Sequence, residues 1–207
     1  ASDLLQIGRR EFVNDLRLHV ARVNDVPLMG KRLVDERQFI VGEIAELDHE
    51  RFSAAVGEMS AWRPRDMVAR HQPGLYFLEE YDPEKIPVVF IHGLGGYGAQ
   101  FQALTEGIDR ERFQPWVFTY PSGMRVEHSA ELLLAVVREA SVDTGAEHLC
   151  VVSHSVGGLV TRHALGHHLR QREVPLIRGL TTIGSPFAGL SAVAAGVRMA
   201  PEVVPAW

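Results

Sequence analysis

The chain has 207 residues and a formal net charge of −5, with 26 acidic residues against 21 basic ones. That length suits one domain of ordinary size, or a domain with a small extension. Hydrophobic residues make up 46% and charged residues 23%, which excludes a disordered chain, a collagen and a disulfide scaffold. No basic stripe is present, so nucleic acid is not an expected partner. Cys150 is the single cysteine and cannot make an internal disulfide. No apolar run approaches the roughly 20 residues that cross a bilayer, and no signal-peptide pattern is visible. The chain opens on Ala1 and not on Met, so a processed or trimmed piece of something longer is expected.

The stretch up to about residue 85 holds more than half of the acidic residues and has weak periodicity. Leu16, Leu18 and Val20 alternate with polar residues, which predicts a short half-buried strand. Val41 to Val56 reads as a helix, interrupted at Gly42. Pro64, Pro73-Gly74 and Asp82-Pro83 read as turns. The remainder has a clear rhythm. Short apolar runs at 88–91, 116–120, 149–152 and 180–183 predict strands buried on both faces. Between them, 127–142 and 156–170 keep Leu132, Leu133, Val136 and Val137, then Leu159, Val160 and Leu165, at helical spacing. Strands alternating with helices predict an α/β fold with a mostly parallel sheet and helices on both faces. Ligands in such sheets bind at the carboxyl ends of the strands.

Two motifs sit at those ends. His92-Gly93-Leu94-Gly95-Gly96 follows the first buried strand, and on its own such a loop is a weak signal. Ser153-His154-Ser155-Val156-Gly157-Gly158 follows the third, and strand, tight turn and helix with a serine at the apex is the context of a nucleophile elbow. Gly157 supplies one of the small residues that the elbow needs. Ser153 stands where a first glycine is usual. A helix N-terminus starting at Val156 aims its positive end at the same place. The alternative is a serine that merely caps an ordinary helix. Acyl transfer needs a nucleophile and donors for the developing oxyanion. The Val156 N–H and an N–H from the earlier loop are in the right chain order for this.

His-Gly-Leu-Gly-Gly, Ser-His-Ser-Val-Gly-Gly and Thr182-Ile-Gly-Ser-Pro-Phe-Ala-Gly189 together resemble the signatures of lipase-type α/β-hydrolases. That group includes bacterial triacylglycerol lipases and inositol deacylases of lipid anchors. Tyr81 to Pro87 is similar to a stretch in bacterial hydrolases often attached to the cell envelope. The resemblance covers residues 81 to about 205. It divides the chain into 1–80, an N-terminal extension that matches nothing, and 81–207, the N-terminal part of a catalytic domain.

The resemblance implies that Ser155 is the nucleophile and that the N–H groups of Leu94 and Val156 form the oxyanion hole. It implies that His92 and Gly93 shape the loop, and that His154 and Gly157 support the elbow, with His154 pointing away from the nucleophile. Gly184-Ser185-Pro186 would close the sheet edge below the acyl pocket, and 189–200 suits a lid helix or a plain core helix. Ester or lipid substrates are implied, with a cell-envelope or secreted location and association with a membrane surface. No cofactor and no metal is implied, and nothing bears on oligomeric state.

The family order is Ser, then Asp or Glu, then His. After Val156 no aspartate occurs, the carboxylates are Glu173 and Glu202, and the histidines are His163, His167 and His168. All three histidines lie on the helix that leads away from Ser155. The expectation is that the acid, the base and the last strands lie beyond Trp207. A hydrolase-shaped binding domain without a base is the alternative, and an acyltransferase or thioesterase on the same machinery is another. His163 and His167 have metal-ligand spacing, but no third ligand is evident, so no metal site is expected. Cys150 and Trp116 read as core, and Met124 and Phe187 as space-fillers near the acyl pocket.

Overall fold

The computed structural model describes residues 39–171 and 176–189, the side chains of 167–171 excepted. The strand expected around Leu16 to Val20 and most of the stretch 189–200 lie outside the described residues. The four apolar runs form strands β3 (Ile86–Ile91), β4 (Phe113–Thr119), β5 (Leu149–His154) and β6 (Ile177–Ile183). Two strands precede them, β1 (Ile40–Ile44) and β2 (Gly74–Phe77). All six share one sheet in the order β1-β2-β4-β3-β5-β6. β3 is parallel to β4 and β5, and β5 is parallel to β6. β2 is antiparallel to β4 and parallel to β1, so the β1–β2 pair runs against the other four. The sheet therefore contains residues on both sides of the boundary expected at residue 80.

The helix expected over Val41 to Val56 does not form. The segment opens as β1, with a bulge between Val41 and Glu43, and passes through a single 3₁₀ turn at Glu50–Phe52. It becomes helical at α1 (Ala54–Trp62), where the Ser53 hydroxyl accepts the Val56 N–H as an N-cap. Strand pairing with β2 satisfies more backbone groups in 40–44 than a helix broken at Gly42 could. Pro64 is likewise not a simple turn. It is the first residue of α2 (Pro64–His71), where its missing N–H costs no intrahelical bond. Asp82-Pro83 does form a turn, closed by Lys85 N–H onto the Asp82 carbonyl at 3.1 Å.

Apolar side chains on both faces of β2 to β5 bury the centre of the sheet, whereas β6, expected to be buried on both faces at 180–183, leaves Leu180 37% and Ile183 40% exposed among the described residues. On β3, Val89 and Ile91 enter one cluster and Val88 and Phe90 the other, as the two-residue period of a strand requires. The first cluster lies beneath α4 (Val126–Thr144) and α5 (Val156–Gln171) and includes Leu133, Val137 and Val160. The second packs Phe52 and Phe101, which precedes the short helix α3 (Gln102–Gly107), against Tyr76 and Val117. Each large apolar side chain so buried contributes about 1.5–3 kcal/mol. Trp116 is core as expected, fully buried and stacked on Phe77 at 4.0 Å between ring centroids. Cys150 is partly buried and packs against the second cluster. No helix among the described residues is long and apolar enough to cross a membrane.

Candidate active site

Neighbouring parallel strands bring their carboxyl ends to one edge, so the pairing of β3 with β5 places the loops after these two strands side by side. After β5 the chain reverses at Ser155 and enters α5. Ser155 has φ 52°, one of two non-glycine residues with positive φ among those described. An L-residue rarely adopts this left-handed conformation, and it costs about 1–2 kcal/mol. Surrounding bonds hold it there. The Ser155 N–H donates to the Ile183 carbonyl of β6 at 2.8 Å, and the Ser155 carbonyl accepts the Gly158 N–H at 3.1 Å. Val156 is the first residue of α5, so its N–H has no partner within the helix.

After β3 the chain turns at Gly93-Leu94-Gly95-Gly96, closed by Gly96 N–H onto the Gly93 carbonyl at 3.0 Å. The turn's own bond leaves the Leu94 N–H unused. Gly93 lies directly on the serine: a Cβ there would sit 2.7 Å from Ser155 Cβ and 3.2 Å from Ser155 Oγ. Gly157 is equally confined, since its Cβ would meet the carbonyl oxygens of His92 at 2.6 Å and Ile91 at 2.7 Å. Glycine at these two positions is what lets the loop, the serine and the helix touch. Ser155, Gly93, Val156 and Gly157 are thus brought together, and Leu94, 40% exposed, stands at the edge of the group.

His92 is buried beneath this loop. Its Nδ1 lies 2.9 Å from the Gly93 carbonyl, which can only accept, so Nδ1 carries the proton. The ring stacks on Tyr120 at 4.6 Å, and the Tyr120 hydroxyl donates to the His92 carbonyl at 2.9 Å. Burial pulls the imidazole down to about 4 from its usual 6.5, against a smaller opposing effect of the Gly93 bond. The folded protein therefore keeps His92 neutral where an unfolded chain protonates it. Stability is fully present above pH 6.5 and is lost as pH falls toward 4, by up to ~1.4 kcal/mol per pH unit. Urea midpoints between pH 7 and 4 are expected to fall less steeply in His92→Phe than in the wild type. Parallel slopes would contradict this assignment.

The other histidines are elsewhere. His154 is exposed, and its Nδ1 accepts from Gln100 Nε2 at 3.4 Å. His163 lies eight residues along α5 from Ser155, about 12 Å at the helical rise. The His167 side chain is outside the described ones, and no cluster of three or more His, Cys, Asp or Glu occurs among the described residues. Gly184-Ser185-Pro186 follows β6, and Ser185 sits so close to Gly158 that a Cβ on the glycine would collide with it. Phe187 is 43% exposed, with the Arg162 guanidinium over its ring at 5.4 Å. Met124 is half-buried. Tyr120 and Ser122, which hold the 92–95 loop, were not singled out from the sequence for this role. Their position just past the carboxyl end of β4 is the signal that points to them.

No family model matches the chain. A triacylglycerol lipase of Vibrio cholerae is 29% identical over 144 residues, which is 67% of this chain. The chain spans 42% of that lipase's length. A Bacillus licheniformis lipase in its mature form is 23% identical, with a TM-score of 0.49 over 62% of this chain and 56% of the other. A monoacylglycerol lipase of Paleococcus ferrophilus is 22% identical, with a TM-score of 0.45 over 64% of this chain and 53% of the other. A mostly parallel sheet and a strained serine between strand and helix accompany this likeness: the chain has an α/β fold and is similar, over 144 residues, to a triacylglycerol lipase.

Proposed function

We propose that the full-length protein is a serine carboxyl-ester hydrolase that works through an acyl-enzyme on Ser155. The observation that carries this reading is Ser155 at φ 52° with Gly93 packed against its Cβ. Strain of this kind persists only where the surroundings over-determine it, and it clusters at sites of chemistry.

In this mechanism Ser155 Oγ attacks the ester carbonyl carbon. The carbonyl oxygen takes up the electron pair and rests on the N–H groups of Leu94 and Val156, each donor lowering the barrier by on the order of 3 kcal/mol. The Ser155 proton passes to a histidine from outside the described residues, oriented by a carboxylate, and then to the departing alkoxide. Water clears the acyl-enzyme by the reverse sequence. His92 does not serve as the base, because it is buried, tied through Nδ1 to Gly93, and made a weak proton acceptor by that burial. The Vibrio relative is named for its action on triacylglycerols, and lipid esters are accordingly the proposed substrate class here, met at a membrane or lipid surface.

Turnover of p-nitrophenyl butyrate by the full-length protein tests the reading, with Ser155→Ala as the control. Turnover in the wild type that disappears in the variant is the expected result. Equal turnover in both proteins would overturn it.

A further inference from the structure

Helix α1 lies before the motifs that carry the resemblance, yet it is built onto the loop that carries Leu94. A Cβ on Gly57 would meet the carbonyl oxygens of Gly95 at 2.6 Å and Gly96 at 2.7 Å. Only a glycine lets the helix approach this closely. One turn further along, Ser60 and Ser122 are both about 1% exposed, with their hydroxyl oxygens 2.7 Å apart.

The direction of each bond in this pair is set by its outer partners. Ser60 Oγ lies 2.8 Å from the Gly57 carbonyl, which can only accept, so the Ser60 proton points there. Ser60 Oγ must then accept from Ser122. Ser122 Oγ in turn accepts the Gly95 N–H at 3.0 Å. The chain runs Gly95 N–H to Ser122 to Ser60 to the Gly57 carbonyl, and every proton is used. A second tie joins the same helix to the loop after β4, from Gly123 N–H to the Ser60 carbonyl at 2.9 Å.

We infer that Ser60 and Ser122 are positioning residues that hold the peptide between Leu94 and Gly95 through the buried hydroxyl chain ending on the Gly95 N–H, and thereby orient the adjoining Leu94 N–H toward Ser155. The inference rests on reading Ser155 as the nucleophile and Leu94 as an oxyanion donor. Leu94 has Gly93 pressed on Ser155 on one side and Gly95 held by Ser122 on the other, so its N–H direction is set from both ends. A donor that is held before the reaction need not be reorganised during it, which is where such groups gain their catalytic effect. Loss of either hydroxyl leaves the ground-state ester contacts intact and loosens the donor, so the effect falls on kcat and not on KM.

The test uses full-length Ser60→Ala, Ser122→Ala and the double variant, with p-nitrophenyl butyrate kinetics and deuterium uptake at 92–98. Each single change is expected to lower kcat about 10- to 30-fold, with KM within about twofold of wild type. The double variant is expected to fall little below the weaker single one, because both hydroxyls act in one chain. Deuterium uptake at 92–98 should quicken in all three, while uptake at 126–144 stays the same. Unchanged kcat in both single variants, losses that multiply in the double, a rise in KM alone, or unchanged uptake at 92–98 would each overturn the inference. Turnover that survives Ser155→Ala would instead sink the nucleophile reading, and the positioning role would then be decided by the uptake at 92–98. Should Ser60→Ala not fold, Ser122→Ala decides alone.

Discussion

Ser155→Gly is expected to abolish ester turnover and at the same time make the protein more stable. The φ of 52° at Ser155 costs an L-residue about 1–2 kcal/mol that glycine does not incur. Part of that gain is returned, since glycine loses about 0.5–1 kcal/mol more backbone entropy on folding. The net rise in unfolding free energy is roughly 0.5–1 kcal/mol, or about 1–4 °C in Tm for a domain of this size. Loss of the nucleophile should lower kcat for p-nitrophenyl butyrate by at least about 10⁴-fold. Stability and activity thus move in opposite directions at one residue, which neither a helix cap nor a core serine would produce. A variant that melts earlier, or that keeps turnover within tenfold of wild type, would show that the strain at Ser155 is not held for catalysis.

Gly157→Ala is the second large effect. Its new Cβ would lie 2.6 Å from the His92 carbonyl and 2.7 Å from the Ile91 carbonyl. Both are backbone atoms at the end of the central strand β3, and neither can move without dragging the 92–96 loop. Overpacking of this kind costs typically 1–3 kcal/mol, and about 3 kcal/mol is expected where backbone must give way. Displacement of α5 from β3 also separates Val156 from Leu94, and a misplacement of about 1 Å costs on the order of 100-fold in rate. Gly107→Ala is the matching control, because a Cβ at Gly107 has nothing within 4 Å. That change is expected to be neutral or mildly stabilising. Chemical denaturation and ester kinetics on the pair check both statements. Wild-type stability and activity in Gly157→Ala would remove the packing argument for the elbow.

How far each element is legible in the sequence depends on how it is stabilised. The strands β3 and β4 are buried along nearly their whole length and β5 at alternate residues, so apolar runs mark them, whereas β6 shows an apolar run at 180–183 although most of the strand is exposed. The helices α4 and α5 show their packed faces through Leu133, Val137 and Val160 at helical spacing. The elbow is legible because its geometry restricts residue type: only small residues fit at Gly93 and Gly157. The N-terminal part carries weaker signals for physical reasons. β2 is four residues long and gets its stability from pairing on both sides. Residues 40–44 carry a bulge between Val41 and Glu43 that breaks strand alternation and hides the strand pattern. Helix α1 presents Gly57 and Ser60 to a loop, so it carries no apolar stripe against the sheet. A buried serine such as Ser60 or Ser122 has the same sequence signature as an exposed one. Its role appears only once the Gly95 N–H and the Gly57 carbonyl are known to flank it.

Mass spectrometry of the full-length protein after reaction with a fluorophosphonate addresses the central claim most directly. Such a reagent bonds covalently to a serine only where a base and an oxyanion site act on it. A single adduct on Ser155, absent from Ser155→Ala, is the predicted result. An adduct on another residue, or ester turnover with no adduct on Ser155, would contradict the assignment of this elbow as the catalytic centre.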